Sequence, residues 1–145
     1  MLLTGFVFGE KTDADRNDID NYFWETNFLY NEQDETIVGS FLFRYPKLEE
    51  DNLGRDIGMK EEELEQVVHM ESAVVLPEYR GNHLQEQMLH YGEALIDKNQ
   101  YHYFMATVSP NNPASYLTFE KCGYQLIKTK KKYGGLLRRI YQKQV

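Results

Sequence analysis

The stretch Val74-Val75-Leu76-Pro77-Glu78-Tyr79-Arg80-Gly81-Asn82-His83-Leu84-Gln85 decides the fold of this chain. Ala73 to Leu76 is apolar at every position, as expected for the end of a central strand covered on both faces. After the turn around Arg80 and Gly81, the apolar residues Leu84, Met88, Tyr91 and Leu95 recur at helical spacing, which predicts a helix over 82–98 packed by one face on a sheet. A strand that turns straight into a helix presents the first backbone N–H groups of that helix, which have no intrahelical partner and sit at the positive end of its dipole. Such a junction can seat a pyrophosphate.

On the C-terminal side, Tyr101 to Val108 predicts another strand, and Asn112-Pro113-Ala114-Ser115 opens a second helix. Pro113 suits the first helical position and forces the preceding residue out of the α region, so Asn112 is the natural N-cap. Gly123 supplies the left-handed residue past the end of that helix. Gly123 to Thr129 and Leu136 to Gln142 then pair as a closing hairpin around Lys130-Lys131-Lys132-Tyr133-Gly134-Gly135.

On the N-terminal side, Val67 to Leu76 is the strand itself, preceded by a short acidic helix over Lys60 to Gln66 and a polar connection, Lys47 to Gly58, long enough to form a flap over a site. Phe28 to Tyr30 and Thr36 to Tyr45 read as a hairpin ended by Pro46. Asp13 to Trp24 has the caps and spacing of an amphipathic helix, and Leu2 to Phe8 alternates poorly but is β-prone and reads as a short strand. The sum is one α/β domain over 1–145, with a mixed sheet and flanking helices.

The composition narrows the function. A formal net charge of -7 argues against a nucleic-acid partner. The apolar N-terminal run lacks a basic segment and is too short to span a bilayer. The single cysteine, Cys122, excludes an intrachain disulfide and suits a reducing compartment. A cytoplasmic protein without membrane association is expected, as a monomer or homodimer. Acidic residues crowd Glu49 to Glu65, and basic ones crowd Lys128 to Lys143; these are either solvated faces or, respectively, a lure for a cationic substrate and a neighbour of a cofactor phosphate. No metal-ligand spacing stands out, His83 and His90 being seven residues apart.

Two signatures in this order carry a resemblance. Val75-Leu76-Pro77-Glu78-Tyr79-Arg80-Gly81-Asn82-His83-Leu84-Gln85 resembles the acyl-CoA motif of the GNAT superfamily of N-acyltransferases, V-x-P-x-x-R-G-x-G-x-G/A. Asn112, Ser115, Phe119, Gly123 and Tyr124 resemble its N-x-x-A/S-x-x-x-Y/F-x-x-x-G-F/Y motif. The resemblance covers Val67 to Val145. It implies a GNAT-type fold, mostly antiparallel, whose middle strands splay apart to admit the pantetheine arm of acetyl-CoA as cosubstrate. Ala73, Val74 and Val75 would pair with that arm, and Arg80, Gly81, Asn82, His83, Leu84 and Gln85 would hold the pyrophosphate. Asn112, Ser115 and Phe119 would line the far end.

The activity implied is acetyl transfer to a primary amine of a small molecule or peptide by direct attack, or, alternatively, a catalytically silent acyl-CoA-binding or regulatory domain. His83 stands where the family usually has glycine, so its backbone either avoids a glycine-type conformation or accepts strain. Phe119 stands where many members carry a proton-donating tyrosine, and Tyr116, Tyr124 and Tyr133 are the substitutes at hand. An attacking amine must first lose a proton. Alternation along the strand puts His69, Glu71, Ala73 and Val75 on one face. Glu71 is the first candidate base and His69 the second. Against them stand the plainer roles of strand-edge carboxylate and hydrogen-bonded core histidine.

Overall fold

The computed structural model describes residues 6–12, 23–81 and 83–145. Among these residues, seven strands form one sheet in the order β1-β2-β3-β4-β5-β7-β6: β1 Phe6–Thr12, β2 Phe23–Asn31, β3 Ile37–Tyr45, β4 Val67–Val75, β5 Tyr103–Val108, β6 Gln125–Lys132 and β7 Leu136–Gln144. All neighbours are antiparallel except β4 and β5. Among the described residues, three α-helices accompany the sheet: the single turn α1 Glu61–Leu64, then α2 Leu84–Leu95 and α3 Pro113–Lys121. Two 3-10 turns, Leu53–Ile57 and Pro77–Tyr79, flank β4. None of the described helices is long and apolar enough to cross a membrane.

The helix expected over Asp13 to Trp24 lies outside the described residues except for Phe23 and Trp24, which open β2 instead. Of the strand expected over Leu2 to Phe8, only Phe6 to Phe8 is described, and β1 runs on to Thr12.

The main core joins Phe41 and Phe43 of β3, Val68 and Met70 of β4, Leu84, Met88 and Leu89 of α2, Phe119 of α3, and Tyr141 of β7. Close approach of α2 to the sheet depends on Gly92, where a Cβ would stand 2.7 Å from the Phe41 ring. Leu95, expected on the packed face, is exposed, and Leu89 and Gly92 are buried in that turn. The helix also stops at Leu95 rather than Lys98, because Ile96 turns to extended backbone. A smaller core of Leu53, Val67, Met105 and Ile140 is separate from this cluster.

One irregularity positions the site. On β3, Phe43 and Phe41 are two residues apart, but their partners on β4, Met70 and Ala73, are three apart. The extra residue is a β-bulge across Glu71 and Ser72, and a bulge swaps the faces of the residues beyond it. Ala73, opposite Phe41, therefore returns to the face of Met70, opposite Phe43, whereas His69 stands opposite Arg44. The expectation that His69, Glu71, Ala73 and Val75 share one face is thus corrected: the alternation is interrupted after Glu71.

Candidate active site

β4 and β5 pair only from Val67 to His69 against Tyr103 to Met105, and then part. The opening holds a cavity of about 870 Å³. Its walls come from β4 (His69, Met70, Glu71, Ala73), β5 (Ala106, Thr107, Val108), the starts of α2 and α3 (Gln85, Asn112, Ser115) and the hairpin residues Lys130 to Tyr133, with Phe119, Arg44 and Asp51 completing it.

At the start of α2, Gly81 and His83 both adopt left-handed backbone, with φ of 84° and 60°. His83 is the N-cap, yet its side chain makes no capping bond. The first intrahelical bond there runs from the Gln87 N–H to the His83 carbonyl, so the earlier N–H groups of the turn have no intrahelical partner. Of the two conformations open to His83, the chain takes the strained one, at a cost of about 1–2 kcal/mol. Its ring is 72 % exposed. Nothing lies within 4 Å of where a Cβ on Gly81 would project, so the turn leaves open space for an anion. Asn82 lies outside the described residues. Arg80 folds back, its Nε donating to the Val75 carbonyl at 3.1 Å. Gln85 Nε2 donates to Ser115 Oγ at 3.1 Å and ties the two helix starts together. Asn112 caps α3 as expected, its Oδ1 accepting from the Ser115 N–H.

The centre of the site is a cluster that the sequence showed only in part. Arg44, 6 % exposed, donates from Nε to Glu71 Oε1 at 2.8 Å and from both terminal nitrogens to Asp51. His69, 3 % exposed, accepts the Leu53 N–H on Nε2 at 2.9 Å. Nε2 therefore carries the lone pair, and in the neutral ring the proton sits on Nδ1, 3.4 Å from Glu71 Oε1 and 3.1 Å from Arg44 Nη2.

Burial, with the Arg44 charge beside it, holds the His69 pKa below 6.5 against the opposing pull of Glu71. For Glu71, burial acts to raise the pKa, but the hydrogen bond from His69 and the Arg44 guanidinium outweigh it and hold the carboxyl below the usual range. Both contacts fall on Oε1, and the Glu71 side chain keeps 32 % of its surface exposed.

Tyr116 is not among the cavity-lining residues; its ring lies under the Arg139 guanidinium, 4.2 Å from the ring centroid. Tyr133 is on the wall, its hydroxyl 3.1 Å from Thr107 Oγ1. Phe119 lines the cavity but is buried among Tyr124 and Tyr141, with no group to donate. Of the residues expected to hold the cofactor, Ala73, Gln85, Asn112, Ser115 and Phe119 line the cavity, whereas Val74, Val75, Arg80, Gly81, His83 and Leu84 do not.

The long polar connection folds inward. Buried Asn52 donates to the carbonyls of Lys47 and Leu64 and accepts the Gly54 N–H, which fixes Asp51 and Leu53 against Arg44 and His69. The charge blocks meet each other: Lys130 and Lys132 each reach Asp56 at 2.7 Å. Arg44, Asp51 and Leu53 escaped the sequence reading because they lie in other segments. The one available signal was a lone arginine in the otherwise apolar Phe41-Leu42-Phe43-Arg44-Tyr45. Cys122 is buried and does not line the cavity, so it is not placed to act as a nucleophile there; burial pushes its thiol up to about 11.

A mixed sheet parted between two parallel strands and flanked by helices is the GNAT fold. The chain belongs to the GNAT acetyltransferase family, whose model matches residues 3–124. No curated protein matches the sequence. Among solved structures, the chain is similar to a GNAT family acetyltransferase from Elizabethkingia anophelis with acetyl-CoA bound (TM-score 0.69, 10% identity, 99% of this chain and 100% of that one). It is also similar to NAA60 from Arabidopsis thaliana in complex with a bisubstrate analogue (TM-score 0.66, 9% identity, 83% and 75%). A third is the ribosomal-protein-S5-alanine acetyltransferase from Vibrio fischeri (TM-score 0.62, 17% identity, 83% and 61%).

Proposed function

We propose that the chain is an acetyl-CoA-dependent N-acetyltransferase that moves the acetyl group directly to a primary amine of a small molecule or peptide. The observation that carries this reading is the placement of Glu71 and of Gln85, in the uncapped first turn of α2, on one opening between β4 and β5. The residues present fit the cosubstrate: the N–H groups at the start of α2 and the open space at Gly81 accept a pyrophosphate, and the unpaired stretch of β4 offers backbone to an extended arm. When bound there, acetyl-CoA supplies the thioester.

Within this reading the protein's part is positioning and proton movement. Arg44 and His69 hold Glu71 by Oε1, which leaves Oε2 to meet the ammonium of the acceptor. A carboxylate held below its usual range is a weak proton sink, so Glu71 anchors the ammonium, and the proton that the amine loses before it attacks leaves to the bulk solvent and its buffer bases. His69 is a positioning residue, because both ring nitrogens face protein groups. Tyr133 is the tyrosine hydroxyl on the wall available to the departing thiolate.

The silent acyl-CoA-binding alternative draws support from Phe119, which cannot donate a proton. Assay of CoA release with polyamines, amino acids, aminoglycosides and peptides separates the two. Sustained amine-dependent release supports the enzyme, and its absence with every amine, despite acetyl-CoA binding, supports the silent domain.

A further inference from the structure

Glu86, His90 and Cys122, none of which lines the cavity, bring a carboxylate, an imidazole and a thiol together with their ligand atoms all within 4.8 Å of one another. Glu86 and His90 stand four apart on α2 and so share a face. The packing of α3 beside α2 adds Cys122, the C-cap of α3. A convergence across two helices leaves no spacing pattern in the sequence. His90 Nε2 is 3.7 Å from Cys122 Sγ and 4.0 Å from Glu86 Oε1. Ligand atoms on a tetrahedral ion, bonded at about 2.0–2.3 Å, stand roughly 3.3–3.6 Å apart. The sulfur–nitrogen edge is already near that spacing, and the Glu86 oxygen, within 4.8 Å of both other ligand atoms, closes on them by side-chain rotation.

From this geometry we infer that Glu86, His90 and Cys122 bind a zinc-class divalent ion, with water in the fourth position. Sulfur and imidazole nitrogen favour such a borderline cation over magnesium or calcium, which take oxygen ligands. Lys121 is the competing charge, its Nζ 3.1 Å from Glu86 Oε2. It holds Oε2, whereas Oε1 is the oxygen that pairs with His90. His83 Nδ1 stands 3.7 Å from that same Oε2. The ion clamps the first turn of α2, which carries Glu86, to the end of α3. These are the two helices whose starts meet through Gln85 and Ser115 at the cavity.

Cobalt(II) titration of the reduced protein tests the site, because Cys122 is the only cysteine and a thiolate-to-cobalt charge-transfer band can arise from nowhere else in the chain. The expected result is one equivalent bound with that band, displaced by zinc, and absent in Cys122→Ser. His90 is exposed, so His90→Ala keeps the fold; it should weaken cobalt binding by about tenfold or more. Folded wild-type protein that shows no such band with excess cobalt overturns the inference, as does a His90→Ala variant that binds with unchanged affinity.

Discussion

Glu71 keeps its charge in a half-enclosed wall because Arg44 and His69 meet on its Oε1 atom. In the proposed reaction Glu71→Gln removes the anchor for the ammonium but leaves the start of α2 untouched. We expect amine-dependent CoA release to fall by about 10²–10³, with acetyl-CoA affinity unchanged by calorimetric titration. Arg44→Met leaves Glu71 and Asp51 without their shared cation, so it should cost both turnover and stability.

His69 makes a prediction in pH. Its folded pKa is lowered from 6.5, so below 6.5 the unfolded chain takes a proton that the folded chain refuses. Its contribution is therefore present above 6.5 and is lost as pH falls towards the folded value. Urea melts should show wild type losing stability below pH 6.5, and His69→Gln should lack that part of the slope. At His83, the left-handed backbone predicts that His83→Gly raises stability by about 0.5–1 kcal/mol, the strain relieved less the added freedom of the unfolded glycine.

At the scale of elements, the reach of local signals decided what could be read. The cap of α3 was legible because Asn112 and Pro113 are adjacent and each has a single preferred place at a helix start. The bulge in β4 was not. Val-Val-His-Met-Glu-Ser-Ala-Val-Val is uniformly β-compatible, and the bulge exists only as a mismatch with β3. Arg44 was likewise invisible as the shared partner of Glu71 and Asp51, being 27 residues from the one and 7 from the other along the chain. The charge blocks were legible as composition but not as a contact. The crossing of Asp56 with Lys130 and Lys132 fastens the loop before α1 to β6. Asp56→Asn leaves the largely buried Lys132 uncompensated and should cost about 1–3 kcal/mol in a denaturant melt. Burial works to raise the Asp56 pKa, but the two lysines outweigh it and lower it below 3.8. Its stabilisation is therefore complete above 3.8 and lost as pH falls through the lower folded value.

At the scale of the whole molecule, the order of elements from β4 to β7 followed from periodicity and punctuation, since each segment there carries its own stop signal, at Pro77, Asn112 and Gly123. The front half carried weaker signals, and β2 begins earlier than its composition suggested. Among the described residues, the parted sheet adds an opening lined by Gln85 of the first turn of α2 and by the held carboxylate of Glu71, the arrangement on which the proposed acyl-CoA-dependent transfer rests. The most direct test is the thermal melt of the intact protein with acetyl-CoA, compared with acetyl-pantetheine, which lacks the pyrophosphate. Acetyl-CoA at one hundred times its dissociation constant should stabilise the fold by about 2.7 kcal/mol, and acetyl-pantetheine at the same concentration should do much less. No stabilisation by millimolar acetyl-CoA would contradict the account.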